Sequence, residues 1–315
     1  MATVTNNNDG GGALNDTDDI VTLTVIYTAT NNSVTKVQAL VRYKPPVYEP
    51  DSAIVTGGAL TLGGSSTVSG SQGEIYATGD VTITGSASVS QDVYTAGDIT
   101  GGDPAKNHPD SPAPEVPPIS PSAYASLADY ELRENGDVYS KTISAVIGNA
   151  ATATTAGWNY TSGTKTWNNK NTPLNGTFYV VNGNIELVGN VGPWQATLLV
   201  NGTSTTTGKV FIKGTGSETT NMTPDEDSVA ILAYNNIEII GNFGCDGLVG
   251  THEQISISGN ASVNGSIVAE SATRGVDGVS VVGSGNANVT YNGGMTTFIS
   301  SGDEYIMIKG FKKLK

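Results

Sequence analysis

Carboxylates are the most numerous groups in this sequence that could do chemistry. Glu186, Glu238 and Glu253 stand in separate strand-like stretches. Cleaving a glycosidic bond takes two carboxyl groups facing one another. None of the three has a second carboxylate two residues away. Asp80 and Asp98 occupy equivalent places in a repeat, and their Gly-Asp context reads as a solvated corner. Asp225-Glu226-Asp227 and Asp16, Asp18 and Asp19 are oxygen-rich, which is what calcium needs, but neither group has the spacing of a calcium loop. The N-terminal cluster is the better candidate metal site of the two; no cofactor is expected apart from calcium there. His108 and His252 lack a neighbouring Cys or His at ligand spacing, so zinc is not expected. Cys245 is the one cysteine, and its repeat register points it inward as inert core. Trp158, Tyr160 and Trp167 flank a turn at Ser162-Gly163, and aromatic faces can stack on a sugar or a protein partner. The competing reading is that they pack the insertion onto the coils, because large aromatics usually bury themselves.

Composition excludes several functions. The formal net charge is −14, which repels nucleic acid and anionic membranes at long range. The only arginines are Arg42, Arg133 and Arg274, too few and too scattered for a polyanion-binding face. No run approaches the roughly 20 apolar residues of a transmembrane helix. Glycine is abundant, at 40 of 315 residues, and charged residues are 14% against a usual ~25%.

The elements that must position these groups are short strands in a repeat. Gly79-Asp80-Val81-Thr82-Ile83 returns as Gly97-Asp98-Ile99-Thr100. Ile237-Glu238-Ile239-Ile240-Gly241-Asn242 returns as Ile255-Ser256-Ile257-Ser258-Gly259-Asn260, again about 18 residues on. Ile185-Glu186-Leu187-Val188-Gly189-Asn190 is an earlier copy. Each unit alternates apolar and polar residues and ends in Gly or Gly-Asn, which accept the backbone of a sharp corner. A strand this short cannot bury itself, but stacking the next copy about 4.8 Å away continues a core. The fold class expected is all-β: a parallel β-helix, a right-handed solenoid, with an N-terminal β-hairpin segment and a short helix in an insertion.

Four segments follow. Residues 1–50 form an N-terminal stub, with Ile20 to Tyr27 and Val34 to Tyr43 as a hairpin. Residues 51–103 carry the first coils. Residues 104–175 hold a Pro-rich linker, a helix from Ser120-Pro121 to about Asn135-Gly136, and the aromatic hairpin. Residues 176–315 carry the second coils, and Glu304 to Lys309 reads as a closing strand.

Asp-rich loops with Asp16-Thr17-Asp18, then a hairpin, then coils with Ala230-Ile231-Leu232-Ala233 and Gly265-Ser266-Ile267-Val268-Ala269: this order resembles PilX-type pilus-assembly proteins, a branch of the pilin-like proteins. The resemblance implies a non-enzymatic structural or adhesion protein of a type IV pilus-like assembly, outside the bacterial cell. It implies pilus or surface proteins, and glycans, as partners. It also implies an N-terminal membrane helix in the full-length protein, which this sequence does not carry. The coils are also similar to bactofilins, cytoplasmic β-helices that polymerise, although those are shorter and lack the insertion. A polysaccharide-degrading β-helix enzyme is the alternative from another class.

Overall fold

The computed structural model describes residues 2–6, 20–28, 34–44, 48–149, 156–169, 172–189, 193–214, 220–270, 279–295, 297 and 305–314. The described chain is nearly all β and falls into two units.

The smaller unit is a four-stranded antiparallel sheet in the order Ala2–Asn6, Ile20–Thr28, Val34–Lys44, Tyr305–Leu314. The expected hairpin is its centre, with Ile20 opposite Arg42 and Thr28 opposite Val34. Tyr305–Leu314, expected to close the coils, instead pairs with Val34–Lys44. An eleven-residue strand offers it far more ladder than a three-residue rung could.

The larger unit spans Tyr48–Thr297 and is built from long parallel sheets. Successive strands go to successive ladders and then return. Val229–Ala233, Ile237–Gly241 and Phe243–Asp246 make one such rung; Leu248–Thr251, Ile255–Ser258 and Ser262–Asn264 make the next. Ile239 lies beside Ile257, and Cys245 beside Val263. The inward side chains of all three ladders form one core, which includes Ile54, Leu198, Ile231, Val249 and Ile267. Glycines with positive φ turn the corners. Gly241, Gly259, Gly285, Gly64 and Gly85 line up from rung to rung, and a Cβ on Gly64 would lie 2.6 Å from the Gly285 carbonyl oxygen. Asn242, Asn260 and Asn286 follow three of these glycines; the Asn260 amide donates to the Asn242 side-chain oxygen, and the Asn286 amide to that of Asn260.

Rung order is not chain order. Ile267–Ala269 pairs with Ile54–Thr56, Val279–Gly283 with Ala59–Leu62, and Asn288–Thr290 with Thr67–Ser69. The two coil segments read from the sequence are therefore one stack, and the chain enters and leaves it at an internal seam. From the seam, rungs run outward through Ile75–Ala77 and Val93–Thr95 to Asn107–His108. The chain then crosses back to the opposite end, where Tyr130–Leu132 pairs with Gly176–Val180.

That crossing is the Pro-rich segment, and it acts as a strap. Pro117, Ile119 and Pro121 are buried in alternation. Under it, Tyr179, Leu199, Leu232, Val268 and Val55 are neighbours across one ladder at positions facing away from the core, yet all are buried. Gly250 completes the column, and a Cβ there would lie 3.1 Å from Ile119 Cδ1. The expected helix is a shorter 3-10 helix, Pro121–Leu127, lying against Trp194–Val200. It stops well before Asn135 because Ala128 is extended and the next residues are drawn into the ladder beside Phe178.

Candidate functional site

The expected contact residues lie in the second half of the insertion. Trp158–Thr161 and Thr166–Asn169 form the hairpin read from the sequence, with Tyr160 opposite Trp167. Its aromatic faces are not offered to a partner, which corrects the expected role of the tryptophans. Trp158 is 0% and Trp167 1% exposed, and Trp158 packs edge-on against Phe178 and Trp194. The cause is register: Trp167 lies beside Ile185, an inward position of the core. Tyr160 is half-buried, and its hydroxyl donates to the Glu134 carbonyl at 2.7 Å. Asp16, Asp18 and Asp19 lie outside the described residues.

The other chemical groups are mostly kept apart. Phe211 stands between Glu186 and Glu238 in their column. Asp80 accepts the Asp98 backbone N–H at 3.0 Å, so the pair holds a corner. Cys245 is buried, which pushes its thiol up to about 12. Among the described residues no group of three or more His, Cys, Asp or Glu could hold a metal ion.

Two acidic segments do meet. Thr177 donates its backbone N–H to Asp129 at 2.9 Å and its hydroxyl to Asp225 at 3.0 Å. Burial, with the neighbouring Asp129 carboxylate, raises the Asp225 carboxyl. Burial also raises Glu226, and Asp227 adds to the effect.

Outward-facing rings also stack. Tyr76, Tyr94 and His108 are neighbours across three rungs, with centroids 4.9 and 4.6 Å apart. A second column runs Tyr234, His252, Glu270. The rings of Tyr234 and His252 stack at 5.7 Å. His252 Nδ1 and Glu270 Oε2 are 2.7 Å apart, and the same carboxylate oxygen accepts the Ile119 backbone N–H at 2.8 Å. Glu270 thus ties the strap to the stack through a charge-assisted bond.

Between this column and the strap lies a cleft of about 410 Å³. One side is lined by Pro118, Ile119, Ser120 and Ser122; the other by Tyr234, His252 and Glu270, with the turn at Asn201 to Thr203 between them. A phenol, an imidazole, a carboxylate and an amide converge there beside apolar strap atoms. That set offers both hydrogen-bond donors and acceptors, with the rings of Tyr234 and His252 stacked on each other. A larger hollow of about 520 Å³, lined by Lys165, Asn182, Asn184 and Thr206, has hydroxyls and amides but no aromatic ring. Sequence reasoning missed the cleft. The signal was present, since Tyr234, His252 and Glu270 recur at the repeat offset of 18. What was absent was any cue that the Pro-rich segment would lie over them.

No protein-family model and no curated protein matches the sequence. Among solved structures, the competence-associated pilin ComZ from Thermus thermophilus aligns with a TM-score of 0.37 and 11% identity, over 99% of this chain and 83% of that one. At that score the similarity carries no inference about function.

Proposed function

We propose that this chain is a non-enzymatic cell-surface protein, a structural or adhesive part of a type IV pilus-like assembly, and that its parallel ladders form one parallel β-helix. The observation that carries the reading is the insertion of the whole stack, Tyr48–Thr297, between two neighbouring strands of the small sheet, Val34–Lys44 and Tyr305–Leu314. One sheet thus carries both the strand that precedes the inserted chain and the strand that follows it. The order of segments, which resembles pilin-like pilus-assembly proteins, supports the same reading. Pilus or surface proteins are the partners it implies, outside the cell.

The stack's ends favour this over a polymerising scaffold. An open stack end offers unpaired strand edges to another copy. At one end Lys106 Nζ donates to the Ser90 carbonyl at 2.8 Å, beside the terminal strand Ser88–Val89. At the other, the antiparallel hairpins at Val138–Ser140 and Trp158–Thr161 break the parallel register. The separation of Glu186 from Glu238 speaks against a glycan-cleaving carboxylate pair.

Immunogold microscopy of source cells tests the reading. Label along or at the tips of surface filaments supports it. Label confined to the cell interior overturns it.

A further inference from the structure

We infer that the cleft under the strap is a binding site for an uncharged sugar residue, a hexose or N-acetylhexosamine of a surface glycan. The inference deepens the adhesive reading and rests on it. Three observations carry the ligand class. First, the cleft's volume of about 410 Å³ lies in the range of small-ligand sites, about 300–1,000 Å³. Second, its groups are those that recognise a polyhydroxylated ring. One face of the Tyr234 ring is stacked on His252, so the ring's contribution to the wall is its remaining surface and hydroxyl; His252, Glu270 and Asn201 line the same wall with the polar atoms left over from their own bonds to Glu270, Ile119 and Val181. Ile119 faces them with apolar atoms from the strap. Third, the net charge of −14 disfavours a sulfated, phosphorylated or uronic-acid polymer.

The wall is also held in place before a ligand arrives. Glu270 bonds both His252 and the Ile119 backbone, so the two sides of the cleft share one carboxylate. Positions fixed in this way lose little freedom on binding. Thr203 lines both this cleft and the neighbouring hydroxyl-rich hollow, which gives a second residue of an oligosaccharide a place to extend.

The test is an array of neutral hexose and N-acetylhexosamine oligosaccharides, probed with the full chain. Titration of each binder found and of its free monosaccharide follows. Asn201→Ala and Ser122→Trp are compared with the parent. Ser122 is an exposed strap residue, so an indole there fills the cleft while circular dichroism and the unfolding midpoint stay unchanged. The expected result is binding to at least one neutral glycan, weakened about tenfold or more by each variant. No binding to any neutral sugar at millimolar concentration overturns the inference, as does binding that both variants leave intact. Failure here is separable from failure of the adhesive reading. Filament label without sugar binding removes only the ligand, and sugar binding by a protein found inside the cell removes only the location.

Discussion

Thr67 and Asn288 stand 221 residues apart in the chain, and the Thr67 hydroxyl donates to the Asn288 side-chain oxygen across the seam. Ser69 and Thr290 repeat the contact two residues on, at 3.0 Å. Below them Val68 and Val289 meet in the core. The junction therefore has the same three features as any other step of the stack: a parallel ladder, an apolar interior and a polar outer column.

The corner glycines give a paired prediction. Gly64 has φ +66° and its Cβ position is blocked by the Gly285 backbone, whereas a Cβ on Gly163 would meet nothing within 4 Å. Gly64→Ala should cost about 1–3 kcal/mol, since strain and overlap add. Gly163→Ala should stay within about 0.5 kcal/mol of the parent. Urea midpoints of the two variants decide the matter, and equal values would contradict the corner geometry.

The buried indoles should not behave alike. Trp194 Nε1 donates to the Leu174 carbonyl at 2.8 Å. Trp158 Nε1 is buried with no acceptor among the described residues. Replacing Trp194 by Phe deletes a made hydrogen bond and should cost about 1–2 kcal/mol beyond the lost volume. Trp158→Phe removes an unsatisfied donor, which offsets its cavity. Thermal melts should therefore rank Trp158→Phe as the milder change, and the reverse ranking would refute the assignment.

The meeting of Asp129 and Asp225 at Thr177 should appear in the pH dependence of stability. Asp225 and Glu226 are raised in the folded chain. The native state then holds more protons than the unfolded state just above the ordinary carboxylate range near pH 4. Stability from these groups is therefore present at low pH and is lost as pH rises through their raised native values. Asp225→Asn should flatten that slope and gain relative stability at pH 7. Chemical denaturation of parent and variant from pH 4 to 7 measures it, and parallel curves would sink the idea.

Lys106 is the clearest guard against self-association. Besides Ser90, its ammonium reaches the Val89 carbonyl at 3.4 Å. Lysine on an edge strand deters pairing with another chain because its charge must be desolvated. Lys106→Ala should promote end-to-end association that sedimentation velocity detects as a concentration-dependent heavier species. A variant that stays at the parent's sedimentation coefficient at every concentration would remove the guard role.

The repeat itself was easy to read. Ile239 above Ile257 and Cys245 beside Val263 follow from an 18-residue offset and two-residue alternation, both local properties of the string. The seam was not legible, because pairing Ile54 with Ile267 is a choice among apolar strands that look alike. Ser120-Pro121 did mark a helix start, but the signal for its end was tertiary: Phe178 recruits Tyr130 into a ladder. The aromatic hairpin was legible as a hairpin and not as to which side faced in, since Trp158 and Tyr160 share one parity and differ only in depth. The strap was read as a linker because proline favours extended chain. The overlooked cue was that Pro117, Ile119 and Pro121 alternate with polar or exposed neighbours, as a strand with one covered side would.

The internal seam sets an order on biosynthesis. A ribosome delivers the rungs near Ile54 first and those that pack on their other side last. At about 5–20 residues per second, the apolar edge at Ile54, Leu60 and Val68 stays bare for about 10 to 40 seconds. Chains stalled before Ile267 should be cut by protease in this first half, and chains stalled after Thr297 should resist. The half made first therefore depends on the half made last.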